Sequence, residues 1–164
     1  MNEIEIRPAN VKDFPTIVNL NLAAIKATAE MDLAHLKNLH HWSEYHKVAT
    51  YKNQVVAFLL VIPPGKSYPS QNYQWFNDQY DSFLYVDRIV VDEHYIGMKI
   101  GTALYHDLFS VTRKLGVKNI TCEYNIKPLN TTSKIFHQRH GFKEVATQWL
   151  DNKSKQVSLQ VAQV

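Results

Sequence analysis

The sequence predicts a mixed α/β domain built on one central sheet, and three observations carry that prediction. Short alternating or wholly apolar runs recur along the chain, as half-buried and fully buried strands do. Between them lie segments with apolar residues three and four apart, the period of a helix with one buried face. Residues 83–101, FLYVDRIVVDEHYIGMKIG, join an apolar strand through a polar turn to a helix start, and a further strand follows. Strand, helix, strand in that order forms a right-handed parallel crossover.

Residues 3–7 alternate charged and apolar, with Ile4 and Ile6 on one face, and Pro8 ends this first strand. Asp13 before Phe14 and Pro15 predicts a helix N-cap, with Phe14, Val18, Leu22 and Ile25 as the buried stripe of a helix running to about Ala27. A second helix from about Asp32 to Tyr45 carries Leu33, Leu36 and Leu39. Residues 48–51 and 54–62 are β-rich runs separated by Lys52 and Asn53, an antiparallel hairpin. Residues 66–82 show no helical period and predict a long loop that is either functional or fastened to the core by its aromatics.

The run 83–91 is nearly all apolar, so it predicts a central strand; Asp87 and Arg88 interrupt it on opposite faces, each requiring a partner if buried. A helix opened by Gly97 has the stripe Ile100, Leu104, Leu108, Val111 and Leu115 and closes at Gly116. Residues 117–125 form the next strand and residues 130–140 a shorter helix ended by Gly141. Residues 143–150 and 156–161 are two final strands joined by the turn Asp151, Asn152, Lys153.

A chain of 164 residues accommodates one domain, 1–164, with a substantial core and is short for two. Hydrophobic residues at 45% and charged residues at 20% exclude the disordered and fibrous classes. A net charge of +3 with scattered Lys and Arg gives no footprint for nucleic acid or an anionic membrane, which points to a small-molecule partner. The single Cys122 excludes an intramolecular disulfide. With no leader-like N-terminus and no long apolar run, the expected location is the cytoplasm. A homodimer through a sheet edge or the final strands is compatible with the pattern.

No phosphate loop of the form G-x-x-x-x-G-K-[ST] and no G-x-G-x-x-G turn occurs. His137 and His140, and the group His40, His41 and His46, lack the H-E-x-x-H spacing, and no metal is expected. The end of the apolar strand nevertheless delivers backbone amides at a helix N-terminus, which suits a phosphate-bearing ligand.

Two stretches, VDRIVVDEHYIGMKIGTALY (86–105) and NIKPLNTTSKIFHQRHGF (125–142), resemble the paired motifs of the GNAT superfamily of N-acetyltransferases, and the order of elements is similar along essentially the whole chain. The resemblance implies an acyl-CoA N-acyltransferase fold: a mixed seven-stranded sheet splayed between its fourth and fifth strands, with about four helices. It implies acetyl-CoA as cosubstrate, with the amides of Ile89, Val90 and Val91 along the pantetheine arm. The diphosphate falls on the turn of Ile96, Gly97, Met98, Lys99, Ile100, Gly101 and Thr102, and Asn130 and Ser133 are further cofactor contacts.

The family often places a proton-donating Tyr four residues before the glycine that ends the motif; here that position is His137, whose imidazole titrates near neutrality. Asp87 and Glu123, on the strands expected to flank the cleft, are the candidate bases, and Tyr73, Trp75, Phe76 and Tyr85 the candidate acceptor pocket. Two departures stand out. In the family's R/Q-x-x-G-x-G/A pattern Ile96 replaces Arg or Gln, and Lys99 replaces the first glycine. The implied activity is acetyl transfer to a small-molecule amine or an exposed amino group; a ligand-binding module without turnover, and a protein-interaction domain using the aromatic segment, remain the alternatives.

Overall fold

The computed structural model describes residues 3–25 and 28–164. Seven strands form one sheet in the order β1-β2-β3-β4-β5-β7-β6, and five α-helices accompany them among the described residues. The chain divides into two compact units, Met1–Ile62 with Val86–Leu108, and Pro63–Tyr85 with Phe109–Val164.

In the first unit β1 (Ile4–Pro8), β2 (Tyr45–Tyr51) and β3 (Gln54–Ile62) are joined antiparallel. Lys52 and Asn53 both take left-handed φ, as a tight two-residue hairpin turn requires. α1 (Phe14–Ala23) and α2 (Leu33–Trp42) pack on β3 and on each other. The predicted α1 stripe is displaced. Phe14, Ile17, Leu20 and Asn21 are buried, whereas Leu22 is 64% exposed and Ile25 is also exposed. The cause is a polar demand from the sheet: the Asn21 amide donates to Ala29 O at 2.9 Å and accepts from Arg88 at 3.0 Å. The predicted helix end near Ala27 lies outside the described residues.

Asp13 does not cap α1 with its side chain; Arg7 holds its carboxylate through two hydrogen bonds of 2.8 and 2.9 Å, and Asn10 N donates to it at 2.9 Å. β2 begins earlier than predicted because α2 stops at Trp42, where Ser43 Oγ donates to His40 O at 2.7 Å. The gained residues are used: Tyr45 and Lys47 both bond Asp107, at 2.8 and 2.7 Å, tying β2 to the following helix α4 (Ile100–Leu115).

In the second unit, residues 71–79 are helical, against the predicted loop. This helix, α3 (Gln71–Gln79), is capped by Ser70 Oγ, which accepts from Tyr73 N at 3.3 Å. Tyr73, Phe76 and Tyr80 stand three and four apart, a helical spacing that four interleaved Gln, Asn and Asp residues conceal. α3 lies against β6 (Lys143–Leu150) through Gln148 Nε2 to Asn72 Oδ1 at 2.9 Å. β5 (Asn119–Lys127) pairs antiparallel with β7 (Lys155–Gln163), which pairs antiparallel with β6. β4 (Leu84–Val91) enters parallel to β5, with Leu84 opposite Ile120 and Tyr85 opposite Thr121. α5 (Thr131–Arg139) follows β5 after a cis Lys127–Pro128 bond.

Candidate active site

The end of β4, the turn after it and the start of α4 all belong to the first unit. Along β4, Asp87, Ile89 and Val91 are half-buried while Val86, Arg88 and Val90 are buried, the alternation of a strand with one face less covered. After it come a single 3-10 turn (Glu93–Tyr95) and four exposed residues, Ile96, Gly97, Met98 and Lys99. α4 starts three residues later than predicted. Its first backbone bond runs from Ala103 N to Lys99 O at 3.0 Å, so the amides of Ile100, Gly101 and Thr102 precede the helical ladder. These amides are left outside the helix's own ladder.

Two residues of the turn are left-handed, Gly97 at φ +94° and Lys99 at φ +59°. The second stands where a glycine was expected from the motif pattern, and its backbone keeps the conformation for which glycine is the default residue. Lys99 is exposed, with its side chain on the same open turn as the amides.

Asp87 and Arg88 are partners of each other. Arg88 Nε meets Asp87 Oδ2 at 2.7 Å with both side chains 3% exposed, and Arg88 also donates to Asn21 Oδ1 and, at 2.9 Å, to Ala29 O. The two residues that interrupt β4 meet each other because the arginine fork reaches back along its own strand. Asp87 is accordingly held in a buried, hydrogen-bonded ion pair, the setting in which removal of one member leaves the other uncompensated.

The remaining candidates lie in the second unit. Glu123, half-buried on β5, accepts from Tyr85 Oη at 2.9 and 2.7 Å through its two carboxylate oxygens. Tyr73, Phe76 and Tyr85 are each no more than 1% exposed and pack ring against ring, 5.6 Å from Tyr73 to Tyr85 and 5.9 Å from Phe76 to Tyr85. They fasten α3 to the sheet. Of the four predicted pocket residues, Trp75 alone is partly exposed.

Asn130 caps α5, its side chain accepting from Ser133 N at 3.1 Å. His137 is buried, one turn further on, with Nδ1 2.7 Å from Ser133 O and 3.1 Å from Ser133 Oγ. A carbonyl only accepts, so Nδ1 carries the proton and Nε2 presents a lone pair. Burial lowers this imidazole to about 4, against the opposing hydrogen bond to Ser133 and with a smaller push from His140. At neutral pH it is uncharged, and Nε2 has no proton to give. Among the described residues no group of three His, Cys, Asp or Glu side chains is arranged to hold a metal ion.

A sequence model of the acetyltransferase (GNAT) family matches residues 11–142. The chain belongs to the GNAT acetyltransferase family. Solved structures of similar fold include Ard1 from Thermoplasma volcanium, 20% identical over 99% of both chains with a TM-score of 0.79. The ribosomal-protein-S18-alanine N-acetyltransferase from Escherichia coli is 14% identical over 98% of this chain and 94% of its own, with a TM-score of 0.75. Naa50 from Arabidopsis thaliana, solved with the bisubstrate analogue CoA-Ac-MVNAL, is 14% identical over 98% of both chains, also at 0.75. A search of curated proteins finds no match.

The chain is a transferase of the GNAT family, and the turn after its β4 carries Lys99 in the left-handed conformation. The link from Tyr85 to Glu123 is what residue-by-residue reading missed. The link follows from the strand register, which the sequence does not state: with Tyr85 opposite Thr121 on parallel strands, Glu123 falls on the same face, one side chain further along.

Proposed function

We propose that the chain is a single catalytic domain that transfers the acetyl group of acetyl-CoA to the amine of a small molecule or to an exposed amino group by direct attack. The observation that carries this reading is the strand, exposed turn and helix start from Ile89 to Thr102, lying inside the span that matches the family. Its donors fit an anionic, phosphate-bearing group: α4 offers amides ahead of its ladder, and Lys99 adds an exposed ammonium beside them. Acetyl-CoA supplies the activated acetyl group. In this reading the backbone of Ile89, Val90 and Val91 orients the pantetheine arm and polarises the thioester oxygen, residues 96–102 take the diphosphate, and Asn130 and Ser133 add polar contacts.

Of the two carboxylates, Glu123 is assigned as the base that receives the proton of the acceptor ammonium, since it is half-exposed, and Asp87 as the internal partner of Arg88. His137 is assigned a supporting role, because the proton donor its position suggests would have to be an imidazolium. The attacking nitrogen gives up its second proton to water as the amide forms, and the departing thiolate takes a proton from water. Trp75 is the aromatic residue assigned to the acceptor, and cytoplasmic acetyl-CoA is the assigned source of acetyl groups.

Isothermal titration with acetyl-CoA, followed by free-thiol detection over a panel of amines and peptide N-termini, tests the proposal. Saturable binding and acceptor-dependent thiol release are expected. Absence of any heat at millimolar acetyl-CoA would sink it. Ile96 and Lys99 favour a second reading, a CoA-binding protein without turnover, which is the outcome if heat appears but no amine releases thiol.

A further inference from the structure

The carboxylate assigned as base is bonded by a phenol that is itself buried. Tyr85 is 1% exposed between the rings of Tyr73 and Phe76. Tyr73 is fixed in turn, its hydroxyl donating to Pro63 O at 2.6 Å and accepting from Lys66 N at 3.0 Å. From this setting Tyr85 Oη reaches both oxygens of Glu123, at 2.9 and 2.7 Å. A long carboxylate side chain would otherwise sample several rotamers, and a donor aimed at its charged form favours that form.

We propose that Tyr85 is a positioning residue: it orients the Glu123 carboxylate and favours its ionised state, so that the base is ready when the acceptor arrives. This rests on the assignment of Glu123 above and replaces the pocket role expected for Tyr85. The groups around Glu123 in its unit support the assignment. From β4 the Tyr85 phenol reaches it and on β7 the uncharged Leu159 stands opposite it, while Cys122, next to it on the other face of β5, has its thiol pushed up by burial and then by the Glu123 charge. Tyr85 contributes a neutral donor there, one that steers the carboxylate without neutralising it.

The test is a carbon-13 NMR titration of the full chain labelled at Glu, with the Glu123 signal identified by its loss in Glu123→Gln. In Tyr85→Phe the Glu123 midpoint is expected to move to higher pH, whereas Tyr73→Phe, which keeps the Tyr85 hydroxyl, leaves it in place. An unmoved or lowered midpoint in Tyr85→Phe overturns the proposal. Should that variant fail to fold, Glu123→Gln gives the reciprocal reading: the Tyr85 phenol then titrates at lower pH, and no change refutes the link. With an acceptor found by the thiol screen, Tyr85→Phe is expected to lower kcat about tenfold or more with the KM for acetyl-CoA unchanged. Full activity would remove the catalytic half of the inference. A screen without turnover removes the transferase reading, and the titration still decides the link.

Discussion

Lys99→Gly is the substitution that separates what the turn costs from what it does. Lys99 holds φ +59° on an exposed turn, where a Cβ crowds its own backbone. That conformation costs a non-glycine residue roughly 1–2 kcal/mol. Glycine removes the strain but brings a more flexible unfolded chain, a loss of about 0.4–1 kcal/mol, so a net gain of about 1 kcal/mol remains. For a chain of this length that is a rise of about 2–4 °C in Tm, read by thermal denaturation. The same change deletes an ammonium beside the amides of Ile100, Gly101 and Thr102, and an exposed charge contact is worth up to about 1 kcal/mol, or fivefold in the Kd for CoA. Lys99→Gln supplies the control. It keeps the strained backbone and loses only the charge, so it should weaken CoA binding to a similar degree without the thermal gain. A Lys99→Gly protein that melts below Lys99→Gln would refute the strain argument, and equal CoA affinity in all three would refute the role of the charge.

Two further outcomes follow from buried groups. Arg88→Met takes the guanidinium away from a carboxylate whose side chain is 3% exposed and should destabilise the fold by about 3–5 kcal/mol in urea denaturation. A cost below about 1 kcal/mol, the level of a surface pair, would contradict the buried ion pair. His137 predicts the acid response. Its folded value near 4 lies below the ordinary 6.5, so the unfolded chain binds the extra proton between those values, and stability, complete above about pH 6.5, falls as pH drops toward 4. The loss amounts to about 3 kcal/mol from this residue. His46, lowered to about 3 mainly by burial, acts in the same direction. Replacing His137 by Gln should flatten the slope of unfolding free energy against pH between 4 and 6.5, and an unchanged slope would count against the assignment.

Much of the architecture was legible because local signals and tertiary demands agreed. β3 and β6 occupy the predicted residues, since alternating or continuous apolar runs ended by turn residues leave little choice of boundary. The failures have a common physical source. The α1 face is set by Asn21, whose burial makes sense only once Arg88, 67 positions away, lies beneath it. α3 was obscured by its Asn and Gln content, although two of those polar side chains, Asn72 and Gln74, are used to bond β6 and Tyr68 O. In the site, the motif residues were readable one at a time. The pairing of Asp87 with Arg88 and of Tyr85 with Glu123 was not, because a charge or a hydroxyl in sequence does not name its partner. The φ of Lys99 was equally hidden: the motif pattern marked a lysine in place of a glycine, and nothing in the residue type announces that its backbone is left-handed.

The position of β7 bears on how the protein can be made. β7 lies between β5 and β6, so of these three strands the one synthesised last is the middle one. Until residues 155–163 have emerged, β5 and β6 are both deprived of the ladder that joins them, and β6 has no neighbour to pair with in the observed order. Synthesis of this unit must therefore run through its final strand before its sheet can close, and a nascent chain halted between β6 and β7 exposes two hydrogen-bonding edges at once.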